Sequence, residues 1–188
     1  MGFDRENLLV ATLPYEAVYG GWTFESDYTK RDALLNRLEQ NPQIKEIALG
    51  RGNITHSRMQ WTRPVENGES VIFGVYVVSW NYLQAMGIDI VDGRDFLPSD
   101  EHSATGALIF NEQASKELGI TVGEQIDGHL DNANTPTVGI CKDFCFQSAH
   151  YGITPYAFLV YGKYGWDQPR IAYIRTVAGA DIAEVRKF

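Results

Sequence analysis

VIFGVYVVSWNYLQAMGI, running from Val71 to Ile88, changes character at its midpoint. Val71 to Ser79 is apolar on both faces, the pattern of a strand covered on both sides in the middle of a sheet. Beyond Ser79 the chain reads as a short helix, and Gly87 stands where that helix needs a left-handed residue to end. Leu83 and Ile88 are spaced for the hydrophobic contact that accompanies such a cap. A buried strand therefore feeds directly into a capped helix.

Working outward, Asn7 to Pro14 (NLLVATLP) is a short apolar run closed by proline and reads as a strand. SDYTKRDALLNRLEQNP places Leu34, Leu35 and Leu38 on one helical face, offers Ser26, Asp27 or Thr29 as N-cap, and stops at Asn41-Pro42. Ile44 to Gly50 is the strand that follows. The strands Asn7–Pro14, Ile44–Leu49 and Val71–Val78 are expected to share one sheet, with the Asp27–Gln40 helix against it. Residues 51–70 read as a loop or weak hairpin turning at Asn67-Gly68.

After Gly87, LIFNEQASKELGI repeats the capped-helix device, with Asn111 as N-cap, Ala114 and Leu118 inward, and Gly119 as the stop. TVGICKDFCF, YAFLVYG and RIAYIRT are three further strands. The final segment, GADIAEVRKF, starts a helix at Asp181 with Glu184 three residues on. A strand near one end and an uncapped helix at the other suggest an excerpt of a longer polypeptide.

Composition narrows the function. Sixteen basic residues against 24 acidic ones give a net charge of −8, and the cations are scattered, which argues against a nucleic-acid or anionic-lipid surface. The longest apolar run is far short of the roughly 20 residues that cross a bilayer.

GICKDFCFQSAH, Gly139 to His150, carries two cysteines, an aspartate and a histidine. If Thr137 to Phe146 is extended, Cys141 and Cys145 lie ~13 Å apart, whereas a disulfide spans less than about 7 Å. A zinc site needs a second ligand pair, and His56, His102, His129 and His150 show no paired spacing. Cys141 sits among apolar neighbours, the setting of an inert thiol. Asp89, Asp92, Asp95, Asp100 and Glu101 lack the order of a calcium loop and read as a solvated turn, with Arg94 paired to a neighbouring carboxylate. Trp22, Trp61 and Trp80 are candidates for a ligand or partner surface, set against the ordinary use of aromatics as core. No catalytic residue, cofactor or metal is expected.

The order of four segments carries the reading further. GFDRENLLVATLP, VSWNYLQAMGIDIVDGRDF, LIFNEQASKELGI and VGICKDFCFQSAHYGITPYAFL, together with the closing GADIAEVRKF, resemble the periplasmic core domain of MacB-type and FtsX-like ABC transporter permeases. Cys145 departs from the histidine such permeases often carry in that strand. The resemblance implies an α+β domain: a porter-like α/β lobe at about residues 1–80 and 168–188, and a second, mostly β lobe inserted in it at about 81–167. It also implies an extracytoplasmic domain between the first two membrane helices of its permease, with four partners: those helices, a cytoplasmic ABC ATPase subunit, a second permease copy and a periplasmic protein. The implied role is mechanical transmission of ATP-driven motion or export across the envelope, and not chemistry. Two other classes stay open, a small-molecule-binding module built around the tryptophans and an enzyme using Cys141 or Cys145.

Overall fold

The computed structural model describes residues 7–13, 29–52, 59–65, 68–127, 134–144, 152–162 and 169–187. Among them, strands form two sheets in an α+β arrangement. The smaller sheet has the order β1 (Leu8–Thr12), β10 (Ile171–Thr176), β2 (Ile44–Gly50), all antiparallel. Helix α1 (Thr29–Glu39) packs on it through Leu34, Leu35 and Leu38, which meet Ile44, Ile47, Leu49, Ala172 and Ile174. That is the apolar face expected from their spacing. Thr29 is the first helical residue, and Ser26 and Asp27 lie outside the described residues.

The larger sheet is inserted between β2 and β10 in the chain. Its order is β3 (Gln60–Pro64), β4 (Ser70–Val77), β9 (Tyr156–Val160), β6 (Ala107–Asn111), β8 (Asn134–Cys141) and β5 (Ile90–Gly93), with β7 (Gln125–Asp127) also on β8. β4 runs parallel to β9 and β6 parallel to β8, so the sheet is mixed. β3 and β4 form the hairpin suspected in residues 51–70, with Gly68 at a left-handed φ of 82°. Asn67 lies outside the described residues.

One expectation is corrected here. β4 does not lie beside β1 and β2: the third strand of the smaller sheet is β10, and the pairing with that sheet just past β4 is an isolated bridge, Gly50 to Val78. The apolar pattern on both faces of Val71–Ser79 reports cover on both sides but not which strand is the neighbour. Alternate residues supply the two covers. Tyr76 and Val78 face a cluster shared with Ala48 and Tyr173 of the smaller sheet, while Phe73, Val75 and Val77 face Ala114, Leu118 and Ile120.

The caps follow the sequence closely. In α2 (Tyr82–Met86), Gly87 adopts φ 67°, the Gly87 N–H donates to the Gln84 carbonyl, and the Ile88 N–H reaches back to the Leu83 carbonyl at 2.9 Å. α4 (Glu112–Leu118) is capped by Asn111, which accepts from the Ala114 N–H at 3.0 Å, and α5 (Ile182–Val185) by Asp181. Asn111 also accepts from the Tyr156 N–H at 2.9 Å and donates to the Thr154 carbonyl at 3.0 Å, so one buried side chain ties β6, α4 and β9. Asn111→Ala removes the cap and leaves both Tyr156 and Thr154 backbone groups short of a partner. Its expected cost is about 3 kcal/mol, read as a lower urea midpoint at unchanged slope; a loss under about 1 kcal/mol would show that the residue is only a cap.

Candidate functional site

The two sheets meet at the corner where β4 turns into α2, and Ser79 and Asn81 bond across it. The Ser79 N–H donates to the Leu49 carbonyl at 2.9 Å, and the Leu49 N–H donates back to Ser79 Oγ at 2.8 Å. Ser79 Oγ in turn donates to Asn81 Oδ1 at 2.8 Å, and Asn81 Nδ2 reaches the Ile47 carbonyl at 2.9 Å. Two short polar residues after a long apolar strand thereby replace the ladder that β2 and β4 do not form.

Arg175 on β10 fastens the other side. It is buried, and its Nε and Nη2 both donate to the Ala85 carbonyl near the end of α2, at 2.9 and 2.6 Å. A cation at a helix C-terminus is favourably placed against the partial negative charge there. Glu46, in register opposite Arg175, has its carboxyl held above the usual carboxylate range by burial, although Asn81 and Arg175 pull it down.

Beneath these bonds lies an aromatic cluster drawn from both sheets. The Tyr82 ring stands edge-on to Tyr76 of β4 at 5.7 Å and to Tyr173 of β10 at 5.3 Å. The Tyr76 and Tyr173 hydroxyls pair at 3.0 Å, and Tyr76 also donates to the Gly52 carbonyl. Burial pushes the Tyr76 and Tyr82 hydroxyls well above the ordinary range, so the cluster stays neutral.

The turn DGRDFLPSDE, read as solvated, is built differently. Pro98–Glu101 forms a short helix, α3, and Asp100 and Glu101 are buried. Arg94 does pair with a carboxylate, forking onto Asp100 at 2.8 and 3.0 Å, and Asp100 also accepts from the Leu97 N–H at 2.8 Å. Glu101 accepts from Arg31 of α1 at 3.2 Å. These carboxylates are neutralised by arginines, one from the turn itself and one from α1.

The expected tryptophan surface divides. Trp61 is buried on β3 with its ring edge-on to Phe73 at 6.1 Å, and it lines a cleft of about 390 Å³ between β3 and β7 that includes Arg63 and Glu124. Trp80 is half-buried and lines a different cleft of about 290 Å³, between α1, α3 and the Ser79–Asn81 corner. Trp22 lies outside the described residues.

The cysteine strand is shorter than the sequence pattern suggests. β8 ends at Cys141 and not at Phe146, because Lys142–Phe144 leaves the sheet toward α4: Asp143 accepts from the Gln113 N–H at 2.9 Å, and the Asp143 N–H donates to Glu112 at 3.1 Å. The ~13 Å separation argued from an extended run therefore does not apply, and Cys145 lies outside the described residues. Cys141 is fully buried with a free thiol that burial raises far above its ordinary range. With Cys145 changed to Ser, Cys141 is expected to resist a thiol reagent at pH 8 in the native chain and to react fully once denatured. Rapid native labelling would contradict its burial. Among the described residues no three His, Cys, Asp or Glu side chains converge to hold a metal ion, and no helix is long and apolar enough to cross a membrane.

Comparison with known proteins agrees with this architecture. Residues 3–187 match the MacB-like periplasmic core domain family. Among solved structures, the periplasmic region of MacB from Actinobacillus actinomycetemcomitans superposes with a TM-score of 0.63 at 12% identity, covering 99% of this chain and 81% of that one. The extracellular domain of the noncanonic ABC-type transporter YknZ from Gram-positive bacteria gives 0.61 at 16% identity, covering 95% and 88%. A domain of a putative permease protein from Porphyromonas gingivalis gives 0.55 at 13% identity, covering 98% and 82%. No curated protein sequence matches the chain.

Proposed function

From the chain's membership of the MacB-like periplasmic core domain family, to which it belongs over nearly its whole length, we propose that it transmits ATP-driven motion across the outer face of its permease and catalyses nothing. The family is one of ABC transporter permeases, so the domain is extracytoplasmic and its permease works with membrane helices and an ATPase. The observation that carries the reading is the joint. β1 and β10, the strands nearest the two ends of the sequence, lie side by side in the smaller sheet. Movement delivered to β1 and β10 enters that sheet and reaches the larger one through the Ser79–Leu49 bonds, the Arg175 clamp and the tyrosine cluster. Directional bonds over a close-packed aromatic core pass displacement on, because packed interiors yield little.

In the proposed assembly two permease copies pair, and the corner between the two sheets meets a periplasmic partner or the transported substrate. The cleft beside Trp80 is the surface assigned to that contact, since it opens at the corner where the two sheets meet.

The test uses the full permease with its ATPase in nanodiscs. Arg175→Met removes both donors from the Ala85 carbonyl. ATP hydrolysis is expected to continue while a nucleotide-dependent signal from a probe on exposed Lys116 of the larger lobe is lost. A variant that keeps the full signal, or a wild type that never shows one, would count against transmission.

A further inference from the structure

Glu101 is placed to do more than complete a turn. Its side chain is 10% exposed, and its two oxygens serve different elements. Oε2 accepts from Arg31 Nη2 at 3.2 Å, and Oε1 accepts from the Trp80 N–H at 3.1 Å. Arg31 belongs to the first turn of α1, the helix on the smaller sheet, and its side chain is 7% exposed. Trp80 opens the corner between the sheets, and α3 itself belongs to the β5–β6 connection of the larger sheet. One carboxylate thus joins three elements that are 21 and 70 residues apart in sequence.

Leu34, Leu35 and Leu38 bury area against β2, but hydrophobic contact has no direction and does not by itself fix where a helix sits along a sheet. A buried ion pair is the reverse: desolvation offsets much of its attraction, so it adds little net stability, while its geometry selects one arrangement. The anchor for that geometry is rigid, because Arg94 forks onto Asp100 and Asp100 holds the Leu97 N–H. Asp32, the neighbouring acid on α1, accepts from Arg31 Nε at 2.9 Å and keeps the guanidinium oriented from within the helix.

We propose that Glu101 is a positioning residue that makes α1 follow the larger sheet, so that the helix and the larger lobe move together. The proposal rests on the transmission reading for its purpose, but its structural claim is tested separately. Glu101→Gln keeps the shape and the acceptor for Trp80 while removing the charge that holds Arg31. Hydrogen exchange of the 188-residue chain is the readout. Amides of residues 32–39 are expected to exchange roughly tenfold faster or more, with β6 and β9 unchanged. In an Arg31→Met background, Glu101→Gln is expected to add nothing further to α1 exchange. In the full permease it is expected to spare ATP hydrolysis and the Lys116 response and to broaden the distance distribution between probes at exposed Asn36 and Lys116. Unchanged α1 exchange, equal acceleration in β6 and β9, or an additive effect in the Arg31→Met background would overturn the proposal. A wild-type permease with no nucleotide response at Lys116 would instead sink the transmission reading and leave the exchange result standing.

Discussion

Tyr82→Ala is expected to destabilise the domain by about 4 kcal/mol, the cost of emptying a fully enclosed aromatic site. Tyr82 is 1% exposed, and its ring meets one aromatic residue from each of β4, β10 and β9: Tyr76, Tyr173 and Phe158, the last at 5.9 Å. The cavity opens between the two sheets, where neither can close over it without breaking the corner bonds. For a chain of this length the loss corresponds to a melting temperature lower by roughly 8–16 °C. Tyr82→Phe keeps the ring and loses only the hydroxyl, so about 1 kcal/mol is expected. Urea titration followed by far-ultraviolet circular dichroism and by tryptophan fluorescence is the check. Coincident transitions at a lower midpoint would support a single cooperative body. A Tyr82→Ala loss below about 2 kcal/mol would mean that the cluster is not the core of the joint.

Gly106→Ala is expected to do comparable damage for a different reason. Gly106 has φ 69°, a left-handed conformation that costs an L side chain about 1–2 kcal/mol. A Cβ there would also lie 2.0 Å from the Val160 carbonyl oxygen and 2.7 Å from the Gly162 nitrogen. Both are backbone atoms at the end of β9, so nothing can swing aside. Either β6 or β9 must shift, and these are adjacent strands at the centre of the larger sheet. About 4 kcal/mol is expected in total. Gly119→Ala separates the two contributions, because Gly119 has nearly the same φ, 65°, but no atom within 4 Å of the added Cβ. It is expected to lose only about 1 kcal/mol. Equal losses at the two sites, measured by the same urea titration, would mean that the close approach at Gly106 relaxes freely.

What the sequence made legible was local. Gly87, Gly119, Asn111 and Asp181 end or begin helices as their chemistry dictates, because a cap is decided within a few residues. The apolar faces of α1, β4 and β8 were readable for the same reason. Sheet partners were not. β4 lies beside β9, some 80 residues away in sequence, through a parallel pairing that leaves no turn signal. The joint was hidden too, since Ser79, Asn81, Arg175 and Glu101 look like ordinary polar residues until distant segments supply Leu49, Ile47, Ala85 and Arg31. Glu101 shows the difficulty most plainly: the pairing of Arg94 with a neighbouring acid was legible, but only the fold brings Arg31, 70 residues away, to Glu101. The order of whole segments carried the family where no single site did.

In the proposed mechanism the two sheets move as one body when the ATPase works. The direct measurement is pulsed dipolar spectroscopy on the full permease in nanodiscs, with Cys145 changed to Ser, buried Cys141 left in place, and spin labels at two exposed positions, Val10 on β1 and Lys116 on α4. A second sample pairs the Lys116 label with a labelled lipid headgroup. The Val10 to Lys116 distance is expected to be the same without nucleotide and with ATP trapped, while the Lys116 to headgroup distance changes. A nucleotide-dependent change between Val10 and Lys116, or no change in either distance, would contradict it.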